Sequence, residues 1–475
     1  MTKNLTTGGP MRLILGFTLP MLFGMLFQQM YNMVDTMIVG KLLGAQALAA
    51  VGATGSINFL VIGFCTGMCG GFAIPVAQQM GAENHSRMRR YVANAAYLSA
   101  VFAVAMTVAT GLLCGRILTA MDTPADIYRD SYNYIFMIFM GIPATYLYNL
   151  LSGIIRSLGD SKTPVYFLAL SSILNIGLDF AFILGGDMGV AGAAIATVVS
   201  QGVSGLACLV YMCSRFSILR MSQEECKPDA AISRDLLAIG MPMGLQYSIT
   251  AIGSIILQSA VNGLGSLYVA AVAAGGKLFQ LLVCPYDAMG SAMATYCGQN
   301  AGAGKLERLN KGILDCSLLG LIYTAVAIAV MMVFAPSCAM WFIDPGEGEM
   351  TLLVDLVSQY IRTLTVFFFP LALVNIVRFS IQGMGFSTFA ITAGVLEMAA
   401  RSVVGGFFVP LFGFRAVCFA SPAAWVCADL FLIPACVFCI NRLRQHQLMP
   451  DGQPESLRRH HIPHLPKPRL GHLHA

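Results

Sequence analysis

The chain has 475 residues, of which 57% are apolar and only 11% are charged, and its mean hydropathy is +0.73. This composition excludes a soluble globular protein and indicates a polytopic membrane protein. The net charge of +5 reflects which side of the membrane the basic residues occupy, so we do not expect nucleic-acid binding.

Twelve apolar segments follow one another along the chain, each long enough to cross a bilayer. Lipid offers the backbone no hydrogen-bond partners, and the short alternating segments of a barrel are missing from the sequence, so we predict twelve transmembrane helices and an all-α fold. The predicted spans lie near residues 13–40, 46–80, 92–115, 131–155, 165–185, 190–213, 236–261, 267–298, 313–335, 357–381, 389–411 and 416–440.

The basic residues fix the predicted orientation. With both termini placed inside, 21 of the 28 Lys and Arg fall in cytoplasmic segments. Because positive residues are retained on the cytoplasmic side, we predict a multi-pass protein of the plasma membrane with both termini cytoplasmic.

The two halves of the sequence repeat each other. Gln78-Gln79-Met80-Gly81-Ala82 matches Gln299-Asn300-Ala301-Gly302-Ala303 at an offset of 221 positions, and a weaker match after the fourth and tenth spans has an offset of 226. Each half holds six spans, so we predict two parallel lobes related by a pseudo-two-fold axis along the membrane normal. The predicted boundaries are an N-terminal lobe at 1–214, a cytoplasmic linker at 215–234, a C-terminal lobe at 235–440 and a disordered, His-rich cytoplasmic tail at 441–475.

Ionisable residues within the spans of the second half include both signs of charge. Three basic residues stand against three acids there: Lys277, Arg362 and Arg401 against Asp287, Glu397 and Asp429. Glu397 and Arg401 are four residues apart on one helix, close enough to pair directly. We predict a structural ion pair for these two, with a gating contact as the alternative.

The predicted spans of the first half contain two acids, Asp35 and Asp179, and no Lys or Arg. A buried carboxylate without a basic partner takes up a proton or binds a cation, and an ion-coupled transporter needs one of these outcomes. A carboxylic acid that is only hydrogen-bonded to its helix neighbours remains the alternative.

Polar residues near these acids predict a shared site. Asn175 lies four residues before Asp179 on the same helix face, and Thr197 on the sixth span should lie at a similar depth in the outer half of the membrane. Gln28 and Asn32 precede Asp35 at spacings that form one polar stripe, and we predict that these two line the substrate cavity.

Three turn sequences follow predicted spans: Gly81-Ala82 after the second, Gly302-Ala303-Gly304-Lys305 after the eighth, and Arg156-Ser157-Leu158-Gly159-Asp160-Ser161-Lys162-Thr163-Pro164 after the fourth. Together they resemble the turn sequences of the multidrug and toxic compound extrusion family. The resemblance implies drug/Na⁺ or drug/H⁺ antiport, with a cation or proton site at Asp35, Asn175, Asp179, Thr197 and Tyr134. Some branches carry a glutamate on the seventh span where this chain has Thr250, which speaks against a second ion site in the C-terminal lobe.

We therefore predict a secondary antiporter that exports amphipathic, cationic drugs or other toxic organic compounds in exchange for Na⁺ or H⁺ by alternating access. Its expected partners are small organic solutes and the lipid bilayer, with no cofactor, no metal beyond the coupling Na⁺, and a monomeric state. A flippase for lipid-linked precursors is an alternative, although the first-half spans lack the cations that would hold pyrophosphate. An intramembrane aspartyl enzyme and a plain channel are weaker alternatives.

Overall fold

The computed structural model describes residues 4–121, 123–341 and 350–448, and the regular secondary structure in these ranges is helical. Fifteen α-helices occur in them. They are α1 Pro10–Leu43, α2 Ala45–Gly81, α3 His85–Ala120, α4 Tyr128–Met140, α5 Ile142–Ser157, α6 Thr163–Phe180, α7 Gly189–Arg215, α8 Ala230–Asn262, α9 Ser266–Gly302, α10 Leu306–Ala339, α11 Met350–Val366, α12 Phe368–Gly383, α13 Thr388–Val403, α14 Val409–Phe412 and α15 Phe414–Leu448.

Two of the predicted spans are broken helices. The fourth span consists of α4 and α5, which meet at 46°, and the tenth consists of α11 and α12, which meet at 52°. Pro143 follows the first break and Pro370 the second; a proline has no N–H to donate to the preceding turn, so the helix bends there. With each bent pair counted as one span, the described residues provide twelve spans, which confirms the predicted architecture.

The duplication extends to backbone conformation. Gly44 precedes α2 with a φ of 88°, and Gly265 precedes α9 with a φ of 112°, a region that side chains rarely adopt. Single π-helical turns follow α6 at Ala181–Gly185 and α13 at Val404–Phe408. The two halves therefore share local irregularities as well as helix order.

The chain divides into two compact units whose boundaries differ from the predicted lobes. One unit runs from Phe23 to Ser248, and the other combines Leu5–Leu22 with the chain from Ile249 to the end of α15. The beginning of α1 thus belongs to the second unit, whereas the linker and the first half of α8 belong to the first. A boundary at a polar break in the sequence does not reveal which neighbours a helix packs against.

The predicted tail also begins later than expected. Residues 441–448 continue α15, which ends at Leu448. The rest of the His-rich segment, 449–475, lies outside the described residues.

In the first unit, α2 and the first half of α8 approach each other at glycines. A Cβ on Gly71 would lie 2.5 Å from the Gly240 Cα, and a Cβ on Gly67 would lie 2.6 Å from the Met243 carbonyl oxygen. Small residues at helix crossings allow this close backbone packing in membrane proteins. The glycines therefore fasten the start of α8 to α2.

The start of α3, which follows the first copy of the duplicated turn, holds the linker. At the start of α3, Arg89 makes two hydrogen bonds to the Glu225 carboxylate, at 2.7 and 2.8 Å, and Arg90 pairs with Asp229 at 2.6 Å. Asn94 Oδ1 accepts from the Asp229 N–H over 2.9 Å. The segment that leads into α8 is thereby bound to the first unit.

The second copy of the turn holds the start of the chain in the same manner. The Leu5 N–H donates to Gln299 Oε1 over 2.9 Å, and Asn300 donates to the Leu5 carbonyl over 3.2 Å. Lys305 donates to the Thr6 carbonyl over 2.9 Å, and Arg308 donates to the Gly8 carbonyl over 2.8 Å. Each copy thus binds the segment that leads into α8 or α1.

Candidate functional site

Two carboxyl groups meet in the first unit. Asp35 lies on α1 and Asp179 on α6, and their side chains are close enough to hydrogen bond to each other. Asp179 is fully buried, whereas Asp35 is half-buried. Asp35 comes eight residues before the end of α1 and Asp179 six residues before Gly185, so both lie about 9–12 Å from the predicted outer ends of their helices.

Asn175 and Thr197 complete the polar surroundings of Asp179. With the Asn175 amide oriented to pair donors with acceptors, its nitrogen donates to Asp179 Oδ2 over 3.0 Å. Its oxygen then accepts from the Thr197 hydroxyl over 3.2 Å, and that side chain lies on α7, the next helix. The predicted grouping of Asn175, Asp179 and Thr197 is therefore present in the structure.

Two tyrosines lie beside the acids. Tyr134 of α4 is buried and interacts electrostatically with both Asp35 and Asp179. Tyr31 of α1 hydrogen bonds to Thr197. Sequence reasoning missed Tyr31, although it lies four residues before Asp35 and therefore on the same helix face.

No basic residue pairs with either acid anywhere in residues 4–121, 123–341 and 350–448. One oxygen of each carboxylate, Asp35 Oδ1 and Asp179 Oδ1, is buried and has no hydrogen-bond partner in those ranges. Buried acceptors of this kind are suited to a proton or to a small hard cation, which oxygen ligands bind. The site offers carboxylate, amide and hydroxyl oxygens for such an ion.

Irregular backbone lies next to the site. The π-helical turn Ala181–Gly185 begins two residues after Asp179 and interrupts the regular hydrogen bonding of α6. Such single π turns occur frequently at functional sites, because they alter the direction in which nearby side chains point.

Known proteins share both the sequence pattern and the fold. A family model described as MatE matches residues 20–181 and, a second time, residues 242–407. The chain belongs to the MatE family. Its members are transporters and not enzymes, which removes the aspartyl-enzyme alternative and confirms the resemblance seen in the turn sequences.

Relatives and solved structures of MATE transporters cover most of the chain. The probable multidrug resistance protein YpnP of Bacillus subtilis strain 168 is 30% identical over 378 residues, which is 79% of this chain and 82% of YpnP. A protein of Shewanella oneidensis named FAD transporter is 24% identical over 381 residues, 77% of this chain and 80% of its own length. A crystal structure of MATE in complex with MaL6 has a TM-score of 0.86 at 23% identity and covers 94% of this chain and 100% of that one.

Gln28 and Asn32 lie on α1 of this MATE transporter with exposed side chains. The Asn32 carbonyl accepts from the Thr36 hydroxyl over 2.8 Å within the helix. Neither side chain hydrogen bonds to Asp35 or Asp179 in the described part of the chain. Their assignment to a substrate cavity stays a prediction.

The second unit of the transporter carries a buried charge cluster in which Glu397 contacts two arginines. Arg401 Nη2 lies 3.3 Å from Glu397 Oε2, as the four-residue spacing predicted, and Arg378 of α12 binds the other carboxylate oxygen. Asp429 of α15 lies close enough to Arg378 to interact electrostatically. The count of basic residues in the second half overlooked Arg378, although it lies within the predicted span 357–381.

The position in the second unit that corresponds to the acid site has a different charge. At the offset of 226, Tyr134 corresponds to Tyr360 and Asn175 to Arg401, while Asp179 corresponds to Gly405. A guanidinium therefore replaces the amide, and a glycine replaces the acid. Of these corresponding positions, only the one in the first unit carries an acid.

A basic residue of the first unit lies one position beyond the predicted fourth span, 131–155, and is part of the helix there. Arg156 belongs to the last turn of α5, which ends at Ser157, rather than to the following turn. Its electrostatic neighbours are tyrosine and cysteine side chains, and neither Asp35 nor Asp179 is among them. Among the described residues the two acids thus have no basic partner.

Proposed function

We propose that this MATE transporter exports amphipathic organic compounds, cationic drugs among them, in exchange for Na⁺ or H⁺. The observation that carries this proposal is the adjacent pair of the half-buried Asp35 and the buried Asp179, which have no basic partner in the described residues. The names of relatives such as YpnP support multidrug export as the physiological role.

The proposed coupling follows from the charges of the pair. Two carboxylates within hydrogen-bonding distance repel each other strongly when both are ionised in a poorly solvated site. A proton or Na⁺ removes this repulsion and draws α1 towards α6, and its departure releases α1 again. The ion therefore has different affinities for two conformations of the first unit, as any coupled exchange requires.

The first helix is suited to carry this change. α1 contains Pro20, which removes one helical hydrogen bond and lowers the resistance of the helix to bending. In the proposed cycle, an ion that enters from outside stabilises one shape of α1 and the exported compound stabilises the other. The ion and the exported compound then bind in turn, and export requires no energy source beyond the ion gradient.

The cargo and the cellular setting are also part of the proposal. We place the transporter in the plasma membrane as a monomer with both termini cytoplasmic, because its basic residues are concentrated on one predicted side. Relatives differ in what they are named for, since one is a FAD transporter and another a multidrug resistance protein. The solute class therefore has to be tested directly.

The test uses purified transporter reconstituted in lipid vesicles. Transport of a fluorescent organic cation is followed under a Na⁺ gradient alone and under a pH gradient alone. We expect one gradient to drive transport by the native protein, and we expect Asp179→Asn to abolish the gradient-driven part while passive binding of the dye persists.

The matched control is Asp287→Asn, which removes a different acid from within a helix, α9 of the second unit. It should transport at the native rate. Undiminished gradient-driven transport by Asp179→Asn would contradict the proposed site, and dependence on neither gradient would contradict antiport.

A further inference from the structure

Arg156 lies well inside the first unit although it is close to the end of its helix. The hydroxyl of its neighbour Ser157 donates to the Ala73 carbonyl of α2 over 2.7 Å. Ala73 precedes Gly81, the last residue of α2, by eight positions, so the end of α5 stops about 12 Å short of the end of α2. Arg156 is therefore recessed from the predicted cytoplasmic surface.

Helix packing on both sides of α5 fixes this depth. A Cβ on Gly153, three residues before Arg156, would lie 3.1 Å from the Ala73 Cβ and 3.7 Å from the Cys69 carbonyl oxygen of α2. On α7, a Cβ on Gly205 would lie 3.4 Å from the Tyr148 nitrogen of α5. The turn that carries Arg156 is thus held between α2 and α7.

In the part of the chain that the structure describes, the groups that interact electrostatically with the guanidinium are hydroxyls and thiols, and no carboxylate is among them. Its electrostatic neighbours are Tyr148, Tyr247, Cys208 and Cys69, which come from α5, α8, α7 and α2. Within the described ranges the Arg156 side chain makes no hydrogen bond or ion pair, and the residue is half-buried. Because the residue is partly exposed, its five side-chain N–H donors remain available to an acceptor.

Three other arginines of the described residues, in contrast, are paired with carboxylates. Arg89 binds Glu225, and Arg378 and Arg401 both bind Glu397. The end of α5 attracts a positive side chain through the helix dipole, but this attraction supplies no acceptor for the outward-facing donors. A guanidinium at this depth is expensive to maintain unless an acceptor reaches it.

We propose that Arg156 binds an anionic group of the transported solute, a carboxylate, phosphate or sulfonate, on the predicted cytoplasmic side. A planar guanidinium pairs with such groups through two parallel hydrogen bonds. This inference rests on the proposed export function, and it extends the solute class to zwitterionic and anionic amphipaths. The acids at Asp35 and Asp179 lie towards the opposite ends of the helices, so the two sites recognise opposite charges at different depths.

The experiment compares two dyes that differ in one group: a cationic rhodamine ethyl ester and the same rhodamine with a free carboxylate. Transport of each is measured in phosphatidylcholine vesicles for the native protein, Arg156→Gln and Arg156→Lys. We expect Arg156→Gln to lower transport of the free acid relative to the ester by about tenfold or more, because a charge-assisted hydrogen-bond pair is lost. Arg156→Lys should lie between, since it keeps the charge without the planar fork.

The control variant is Lys162→Gln, which removes an exposed basic residue from the turn after α5. It should leave the ratio of the two dyes unchanged. An unchanged ratio in Arg156→Gln would overturn the inference while leaving antiport intact. A loss for both dyes that appears only in vesicles with phosphatidylglycerol would assign the anion to a lipid headgroup and would also overturn it.

Dye binding separates this test from a failure of the proposed function. Fluorescence anisotropy of both rhodamines with purified protein needs no ion gradient. If the native protein transports neither dye, weaker binding of the free acid to Arg156→Gln alone still supports the site. Equal binding of the free acid to the native protein, Arg156→Gln and Arg156→Lys would refute it.

Discussion

The contact between α2 and α8 gives a quantitative test of the fold. In Gly71→Ala the new methyl carbon would lie 2.5 Å from the Gly240 Cα, 2.9 Å from its nitrogen and 3.0 Å from the Ile239 carbonyl oxygen. Carbon atoms pack at about 3.5–4.0 Å, so the two helices would have to separate by about 1 Å. All three obstacles are main-chain atoms, which cannot move aside as a flexible side chain does.

The adjacent glycine provides the matched control. A Cβ on Gly70 would meet only the Met243 Cε, at an ordinary contact distance of 3.6 Å. Both substitutions gain the same helix propensity of alanine over glycine, about 1 kcal/mol, so this gain cancels in the comparison. Gly71→Ala should therefore be less stable than Gly70→Ala by about 1–3 kcal/mol, the usual cost of overpacking.

The assay is thermal unfolding of the two purified variants in one detergent, followed by tryptophan fluorescence. The expected difference corresponds to a lower melting temperature for Gly71→Ala by at least about 2 °C. Equal melting temperatures would refute the argument that backbone approach at Gly71 fastens α8 to α2. A lower melting temperature for Gly70→Ala than for Gly71→Ala would also refute it.

Two further predictions concern charged groups. Glu397→Gln leaves two buried guanidiniums without their shared carboxylate and should destabilise the protein by about 3–5 kcal/mol. The control Glu307→Gln, at an exposed position, should not change the melting temperature. Equal melting temperatures for the two variants would contradict this prediction. The hydrogen-bonded Arg89 guanidinium, together with neighbouring serine donors, lowers the pKa of Glu225 from 4.5 to about 2. This depressed pKa stabilises the linker fully above pH 4.5 and progressively less as the pH falls from 4.5 through 2, so hydrogen-exchange protection of residues 217–229 should fall over that window. Protection that is the same at pH 5 and pH 2 would count against it.

Most of the fold was predictable because the bilayer imposes a length on every span. The number and order of the spans followed from apolar runs alone. The breaks at Gly141 and Phe367 were not predicted, since hydropathy stays high across them. Pro143 and Pro370 were the available signals, but a proline within a membrane helix does not state whether the helix kinks gently or ends.

The start of α1 belongs to the second unit and the first half of α8 to the first. The sequence could not predict this assignment, for a different reason. The apolar residues of α8 do not tell which helices its two halves pack against. The tight glycine contacts at Gly67 and Gly71 become meaningful only when the partner helix is known. Packing partners far apart in sequence are not encoded by local pattern.

The acid site was predictable in its main members and incomplete in its surroundings. Asp35, Asp179 and Asn175 were visible as polar residues at helical spacing within apolar spans. Tyr31 shares that spacing, but a tyrosine does not stand out within an apolar span, so it was missed. Arg156 was placed outside its helix because predicted ends are accurate only to a few residues.

The segment before α1 is anchored by hydrogen bonds to its main chain. Lys305, Arg308 and Asn300 grip carbonyl oxygens of Leu5, Thr6 and Gly8, which every amino acid possesses. The side chains of residues 5–8 can therefore vary in evolution, but the length of this segment cannot. Chains with different residues at positions 5–8 can still be anchored at the same place. A chain truncated past Gly8 would lose the hydrogen bonds that anchor the start of α1.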